Sequence, residues 1–210
     1  GQVYDSNRYS LIGLLQRMDL ETFDLGVIVD DKKIIEDTLK KASVFADVII
    51  TTGGVSVGEA DYMKEILKKI GEILFWKISM KPGRPLAYGK IGGCHYFGLP
   101  GNPVSTMVTF YQFVREALLT LSGESPIHPI PMIKAKLLTS IKKMPGRTEF
   151  QRGFFVQNPQ GEFNVSAIKD QGSGILRSMT EANCFMVLPE SMGSLEKDYW
   201  VDIQLFDSLF

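Results

Sequence analysis

The sequence predicts an α/β protein: a doubly wound, mostly parallel sheet followed by a small all-β, barrel-like domain. Three observations carry that expectation. Short apolar runs alternate with amphipathic helical segments at about 25 residues per unit, the pattern of right-handed βαβ crossovers. One Pro/Gly/Ser-rich stretch, Ser122-Gly123-Glu124-Ser125-Pro126 with Pro129 and Pro131 behind it, is long enough to serve as a linker. Beyond it the helical period stops, and short strand-like runs between turn residues take over.

Leu11, Ile12, Leu14, Leu15 and Met18 recur at helical spacing behind Asp5-Ser6-Asn7, residues that cap helix N-termini well, so a helix follows that tripeptide. Phe23 to Val29 is β-rich and ends at Asp30-Asp31, after which Ile34, Ile35, Leu39 and Ala42 set a second helix. The strand pattern returns over residues 47–52. A glycine-rich turn then runs through Gly58, and a helix from about Asp61 to Ile70 turns Met63, Ile66, Leu67 and Ile70 inward. After Ile73 to Met80 come Pro82-Gly83-Arg84-Pro85, a run Leu86 to Lys90, Gly92-Gly93 and Cys94 to Leu99, which read as a hairpin appended to the sheet. A long helix from about Pro103 to Leu121 closes a first domain expected over residues 1–124. The second is expected over 125–210, with strands at Ile133 to Ser140, Glu149 to Val156, Glu162 to Ile168, Cys184 to Leu188 and Trp200 to Phe206.

A chain of 210 residues fits one large domain or two small ones. With 44% hydrophobic residues and a mean hydropathy near zero, disorder is excluded as the main state. The 23 Lys+Arg against 24 Asp+Glu give a net charge of -1, no electrostatic reason to expect nucleic acid or a membrane surface as partner. Cys94 and Cys184, with only two histidines, build neither a disulfide framework nor a zinc site. Nothing reads as a signal peptide, and apolar runs stop short of the ~18 to 20 residues of a membrane span, so a cytoplasmic location is expected. The chain starts at Gly1 without an initiator methionine, which suggests a processed or truncated product.

Chemistry is expected beyond the carboxyl ends of the strands, where helix N-termini favour anions. Thr51-Thr52-Gly53-Gly54-Val55-Ser56-Val57-Gly58 occupies such a place; its glycines let backbone approach a ligand and its hydroxyls can donate to phosphate oxygens. Phosphate binding is favoured there over a plain tight turn. Glu59 and Asp61 add carboxylates at the same lip, which makes a metal-assisted phosphate site plausible, magnesium needing hard oxygen ligands. Asp30 reads equally well as a third carboxylate or as part of a helix-capping pair with Asp31. Lys77 and Lys81 share one face of an extended run, with Arg84 beyond a rigid turn, an arrangement suited to a polyanion. Leu99-Pro100-Gly101-Asn102-Pro103 is a stiff loop opening a helix at its second proline, with Ser105 and Thr106 in the first turn. Arg147, Arg152, Gln171 and Ser173 are polar residues around turns that could form a rim, although solvated loops are favoured on sequence alone, and His95 and His128 have no convincing partners. Met63 and Met107 read as core.

The motifs Asp5-Ser6-Asn7, Thr52-Gly53-Gly54-Val55-Ser56-Val57-Gly58-Glu59-Ala60-Asp61-Tyr62, Lys81-Pro82-Gly83-Arg84-Pro85 and Gly98-Leu99-Pro100-Gly101-Asn102-Pro103-Val104-Ser105, in this order, resemble the molybdopterin molybdenumtransferases, the MoeA and gephyrin E-domain family. Phe150-Gln151-Arg152-Gly153 and Gln171-Gly172-Ser173 continue the resemblance into the β domain. It implies a molybdopterin-binding fold and the step in which adenylylated molybdopterin and molybdate give molybdenum cofactor and AMP, assisted by a divalent cation such as magnesium. On this resemblance Asp30 and Asp61 hold the metal and act in adenylate hydrolysis, Lys77 and Lys81 bind substrate, Pro100 and Pro103 frame the rigid loop, and Arg152 and Ser173 belong to a molybdate or substrate rim. Asp5, Ser6, Asn7, Thr52, Gly53, Gly54, Ser56, Gly58, Glu59, Arg84, Gly101, Asn102 and Ser105 complete the expected binding set.

The resemblance also implies a homodimer whose active site is shared with a partner's N-terminal domain, and a molybdopterin adenylyltransferase as a further partner. The strand and turn that precede the Asp5-Ser6-Asn7 helix in the family are absent, so the chain is expected to be a C-terminal fragment lacking the first strand of its sheet. A molybdopterin adenylyltransferase is the nearest alternative, but such proteins usually end where the α/β domain ends. A gephyrin-like scaffold that binds peptides is the other.

Overall fold

The computed structural model describes residues 4–55 and 60–208, apart from the side chains of Ala60 and Asp61. They form two compact units, 1–78 with 83–110, and 79–82 with 111–210. The second unit thus takes in residues 79–82 and 111–124, ahead of the linker that composition marks. The reason for the first of these insertions is a strand pairing described below.

The first unit is built around a four-stranded sheet of β1 (Val48–Thr52), β2 (Glu72–Lys77), β4 (Pro85–Ile91) and β5 (Cys94–Leu99), in the spatial order β1-β5-β4-β2. The α/β class expected from the sequence is found, with a smaller parallel share: β1 and β5 run parallel, whereas β5–β4 and β4–β2 are antiparallel. Short connections account for this. A two-residue turn at Gly92-Gly93 can join β4 to β5 only as a hairpin, while the parallel pair needs a crossover.

Helices α2 (Lys32–Phe45) and α3 (Ala60–Ile70) cover one side of that sheet. Leu39 and Ala42 of α2 and Met63, Ile66 and Leu67 of α3 close over Ile49, Ala87, Ile91, Cys94 and Tyr96 in one apolar cluster. The two helices run in the same direction, because Lys32 bridges Glu65 and, one turn later, Glu36 bridges Lys69 at 2.8 Å. Their N-termini therefore share one end of the unit. Helix α1 (Ser6–Arg17) packs on α4 (Pro103–Thr109), which lies against β5.

Residues 20–29 form no strand, contrary to the expectation from their composition. Phe23, Val27 and Val29 are exposed by 60%, 73% and 67%, and no neighbouring strand supplies ladder partners. Apolar, β-branched side chains favour a strand only when a paired neighbour satisfies the backbone. Phe23 makes instead an edge-on contact with Phe45, ring centroids 5.4 Å apart.

In the second unit, β6 (Ile133–Leu137), β7 (Thr148–Gln157), β8 (Phe163–Ala167), β9 (Cys184–Leu188) and β10 (Trp200–Leu205) lie in the order β7-β8-β6-β10-β9, and β9 pairs back onto β7. Closure removes both edges, which makes the unit a five-stranded barrel. Ala135, Leu137, Val165, Cys184, Met186, Leu188, Val201 and Ile203 fill it. The two-residue β3 (Met80–Lys81) adds to β7 in parallel, Lys81 opposite Glu149, which is why 79–82 belongs with the barrel. The chain from 110 to 121 continues α4 as a wide π-helical turn, Phe110–Val114, and then α5 (Arg115–Leu121). A short α6 (Arg177–Glu181) precedes β9.

Candidate functional site

The pairing register of the first unit gathers its motifs at one edge. β1 and β5 are parallel with Thr52 opposite Leu99, so Gly53-Gly54 and Pro100-Gly101-Asn102 leave the sheet side by side. β4 is antiparallel to β5, which brings its first residue, Pro85, and the preceding Arg84 to that edge. β2 is antiparallel to β4 with Lys77 opposite Pro85, and so ends there too. Four strands at ~4.8 Å spacing place these groups along a lip of about 14 Å. The shared direction of α2 and α3 puts Asp30-Asp31 and the start of α3 at the same end as the close of β1.

The two loops at the β1–β5 end are tied together by α1. Asn7 is 8% exposed, and its side-chain amide donates to Thr52 Oγ1 at 2.8 Å and to Gly101 O at 2.7 Å. Its amide oxygen, also buried, has no hydrogen-bond partner among the described residues. Asp5 caps the helix, accepting from the Arg8 amide, and bridges the Arg8 guanidinium at 3.1 Å. Gly53 and Gly54 adopt φ values of +84° and +68°, the left-handed region that glycine enters without strain. Gly53 N–H donates to Leu99 O at 3.1 Å, locking the loops at their bases. On the other loop Thr106 Oγ1 donates to Pro100 O at 2.6 Å, and Pro103 opens α4. Ser105 is buried at 4% exposure, so its place in the expected binding set puts it beneath the loop rather than on its open face.

Under this edge a buried tyrosine supports β1. Tyr96 pairs its hydroxyl with Thr51 Oγ1 at 2.7 Å, and burial raises the Tyr96 pKa well above its ordinary value, leaving it a neutral hydrogen-bonding group. A Cβ on Gly98 would lie 2.8 Å from Val55 Cγ1 and 2.9 Å from that hydroxyl, so only glycine fits. Neither Tyr96 nor Gly98 was among the expected site residues. The alternation of β5, which sends Tyr96 and Gly98 to the face below Thr51, is the signal that would have found them.

Lys77 and Lys81 do not share one strand. The extended run breaks at Ile78-Ser79, where Ile78 N–H donates to Arg84 O at 3.0 Å, and the two lysines belong to different compact units. Lys77 and Arg84 are exposed at the lip of the first unit. Lys81, half exposed, bridges Glu149 at 3.3 Å within the second.

Asp30 is exposed just ahead of α2; Asp31, not Asp30, caps that helix, accepting from the Lys33 and Ile34 amides at 2.9 Å. Ser56, Gly58, Glu59 and the Asp61 side chain lie outside the described residues. Among the described residues no three His, Cys, Asp or Glu side chains cluster as a metal would need. Asp30 supplies a hard oxygen donor of the type magnesium takes, one carboxylate of the two expected.

In the barrel, Arg152 is not a rim residue in this structure. It is 1% exposed; its Nε donates to Ser178 Oγ at 3.1 Å and an Nη to the carbonyls of Asp170 and Gly172 at 3.1 and 3.2 Å. Burial pushes its pKa down to about 10, partly offset by the nearby Asp170. Gln171 completes the latch, accepting from the Arg152 amide and donating to the Arg152 and Ile168 carbonyls. The guanidinium thus pins segment 168–178, on which Ser173 is half-buried. Sequence spacing alone cannot tell such a latch from a ligand-facing arginine.

Comparison with known proteins bears on these motifs directly. Residues 1–120 match the family described as a probable molybdopterin binding domain, and 134–206 match the MoeA C-terminal region, domain IV. The chain belongs to the molybdopterin-binding domain family. It is 42% identical over 209 residues to a molybdopterin molybdenumtransferase of Haemophilus influenzae, covering all of this chain and 52% of that protein. It is 35% identical to gephyrin of Dictyostelium discoideum, covering 94% of this chain and 32% of the other. Among solved structures, a molybdopterin biosynthesis MoeA protein of Pyrococcus horikoshii is similar with a TM-score of 0.77 at 31% identity, over 98% of this chain and 47% of that one. A molybdenum cofactor biosynthesis protein of Pyrococcus furiosus gives a TM-score of 0.77 at 28% identity, over 96% and 65%. The chain spans about half the length of the curated relatives it matches. No helix among the described residues is long and apolar enough to cross a membrane.

Proposed function

We propose that this chain is the substrate-binding portion of a molybdopterin molybdenumtransferase, taking adenylylated molybdopterin and molybdate to molybdenum cofactor and AMP. The observation that carries the reading is the convergence at one sheet edge of Thr52-Gly53-Gly54, Pro100-Gly101-Asn102, Lys77 and Arg84. Such an edge offers backbone amides of a glycine loop and two cations to a substrate rich in phosphate oxygens. Asn7 and Thr106 hold the loops in shape before any ligand arrives, so little ordering is left for the binding step.

In this reading Lys77 and Arg84 meet the anionic groups of the adenylate, Asp5 and Ser6 lie beside the glycine loop with Asn7 bracing it from beneath, and Lys81 is proposed as a phosphate contact on the family resemblance. Asp30 and Asp61 would hold a magnesium ion, whose chemistry when bound is to draw charge from the phosphate oxygens at the bond that breaks. Ser56, Gly58, Glu59, Pro103, Ser105 and Ser173 stay in the proposed set on the family resemblance, Ser105 from beneath its loop, while Arg152 serves by holding the segment that carries Ser173. A homodimer, a molybdopterin adenylyltransferase supplying the substrate and a cytoplasmic location belong to the same reading and rest on that resemblance.

Calorimetry with adenylylated molybdopterin, with and without magnesium, tests this on the present chain and on a chain of the relatives' full length. Binding by both, with molybdate-dependent AMP release by the longer chain, is expected. Formation of an adenylate from molybdopterin and ATP would reassign the protein to the adenylyltransferases, and no binding by either chain would overturn the reading.

A further inference from the structure

Glu149 occupies a place where an apolar side chain would cost less. It lies on β7 opposite Leu188 of β9, and Gln151, two residues on, is opposite Met186; Leu188 and Met186 both belong to the barrel core. At 3% exposure its carboxylate has left water almost entirely. Such burial is unfavourable unless polar partners compensate. Two do: Gln151 Nε2 donates to one oxygen at 2.9 Å while also donating to Lys142 O at 3.1 Å, and Lys81 Nζ donates to the other at 3.3 Å.

The pair is asymmetric. The Glu149 side chain is 4% exposed and that of Lys81 is 53% exposed, so the acid is fixed from within the barrel while its cationic partner keeps half of its side chain in contact with solvent. Strand pairing enforces the match, since β3 lies parallel to β7 with Lys81 in register with Glu149. An ammonium carries three N–H donors on a flexible four-carbon stem. One is directed at Glu149, which leaves two for other acceptors.

We infer that Glu149 is the positioning residue of Lys81, a buried carboxylate that holds the ammonium in one orientation so that its remaining donors meet an anionic phosphate group already aligned. This rests on the proposed reading in which Lys81 contacts the substrate's phosphates. It adds to that reading where the orientation of Lys81 comes from, and makes Gln151 the brace of the brace.

The sign of one substitution separates positioning from simple charge. Removing a negative charge beside a cation should by itself tighten anion binding, whereas loss of positioning should weaken it. Inorganic pyrophosphate, titrated by calorimetry into the full chain and its Glu149→Gln, Lys81→Ala and doubly substituted forms, is the probe. Glu149→Gln is expected to weaken binding on the order of three- to tenfold, and to add nothing once Lys81 is alanine. Unchanged or tighter binding in Glu149→Gln, with Lys81→Ala still impaired, overturns the positioning role alone. No pyrophosphate binding by the parent, or full affinity in Lys81→Ala, overturns the contact and the inference together. If Glu149→Gln does not fold, trace acetylation of the parent decides: Lys81 is expected to react several-fold more slowly than the exposed Lys68, and equal rates would sink the proposal.

Discussion

The side-chain amide of Asn7 donates to the Thr52 hydroxyl at 2.8 Å across 45 positions of sequence, and the same nitrogen reaches Gly101 O at 2.7 Å. One asparagine in the first turn of a helix thereby joins the loops that follow two parallel strands. Asparagine suits the position because its amide supplies two donors in one plane.

Replacing it should cost stability as well as binding. Asn7→Ala leaves the half-buried Thr52 hydroxyl and the carbonyl of the exposed Gly101 without their donor, a loss of about 0.5–1.5 kcal/mol for each bond. Asn7→Asp should fail likewise, since an ionised carboxylate accepts but cannot donate. Denaturant unfolding at neutral pH measures both, and an Asp variant as stable as the parent would show that these bonds do not clamp the loops.

Gly98→Ala should destabilise the first unit by about 1–3 kcal/mol, because the new methyl meets Val55 Cγ1 at 2.8 Å and the Tyr96 hydroxyl at 2.9 Å in a packed layer. Gly93→Ala is the control, with nothing within 4 Å of its Cβ. Shortening the clashing neighbour as well, in Gly98→Ala with Val55→Ala, tests the mechanism further: recovery of part of the loss is expected. Equal melting temperatures for the two single variants would refute it.

The Glu36 carboxylate gives a pH dependence with a definite sign. Lys40 at 2.6 Å and Lys69 at 2.8 Å hydrogen-bond its two oxygens and hold its pKa at about 2. A carboxyl whose folded pKa is lowered stabilises fully above its unfolded value and loses that contribution as pH falls through the folded one. Glu36→Gln should therefore lower the melting temperature at neutral pH. The gap to the parent should narrow as pH falls from 4.5 towards about 2. Salt should shrink it too, since both lysines are half exposed or more. A gap independent of pH would mean that packing, not charge, is lost.

Local pattern was enough wherever an element's own residues decide its form. Cys184–Leu188 is a strand over the span its apolar run marks, and the hairpin at Gly92-Gly93 follows from turn chemistry. What pattern could not reach was whatever depends on a distant neighbour. Phe23 to Val29 has strand composition but no adjacent strand, so it stays unpaired. Lys77 and Lys81, evenly spaced in sequence, part company because β3 pairs with β7, seventy residues on, rather than continuing β2. Glu149 reads as the polar start of a strand until its neighbours across the barrel are known.

Arg152 is the residue on which sequence and structure point in different directions, and its substitution discriminates between them. If the guanidinium were a ligand-facing rim group, Arg152→Lys would keep its charge, lower anion affinity and leave stability nearly untouched. Buried as it is, with Nε on Ser178 and an Nη shared by the carbonyls of Asp170 and Gly172, it acts as a planar fork that a lysine cannot reproduce. Arg152→Lys and Arg152→Met should each cost about 2–4 kcal/mol, because the buried Ser178 hydroxyl and the carbonyls of Asp170 and Gly172 lose their shared donor and, for lysine, a buried charge is left poorly satisfied. Segment 168–178 should become more open to proteolytic cleavage, most of all beyond Gln171, since the bonds to β7 that remain run from Ile168 and Gln171 to the Arg152 backbone. Native melting temperatures in both variants, with cleavage unchanged and anion binding reduced, would return Arg152 to the rim.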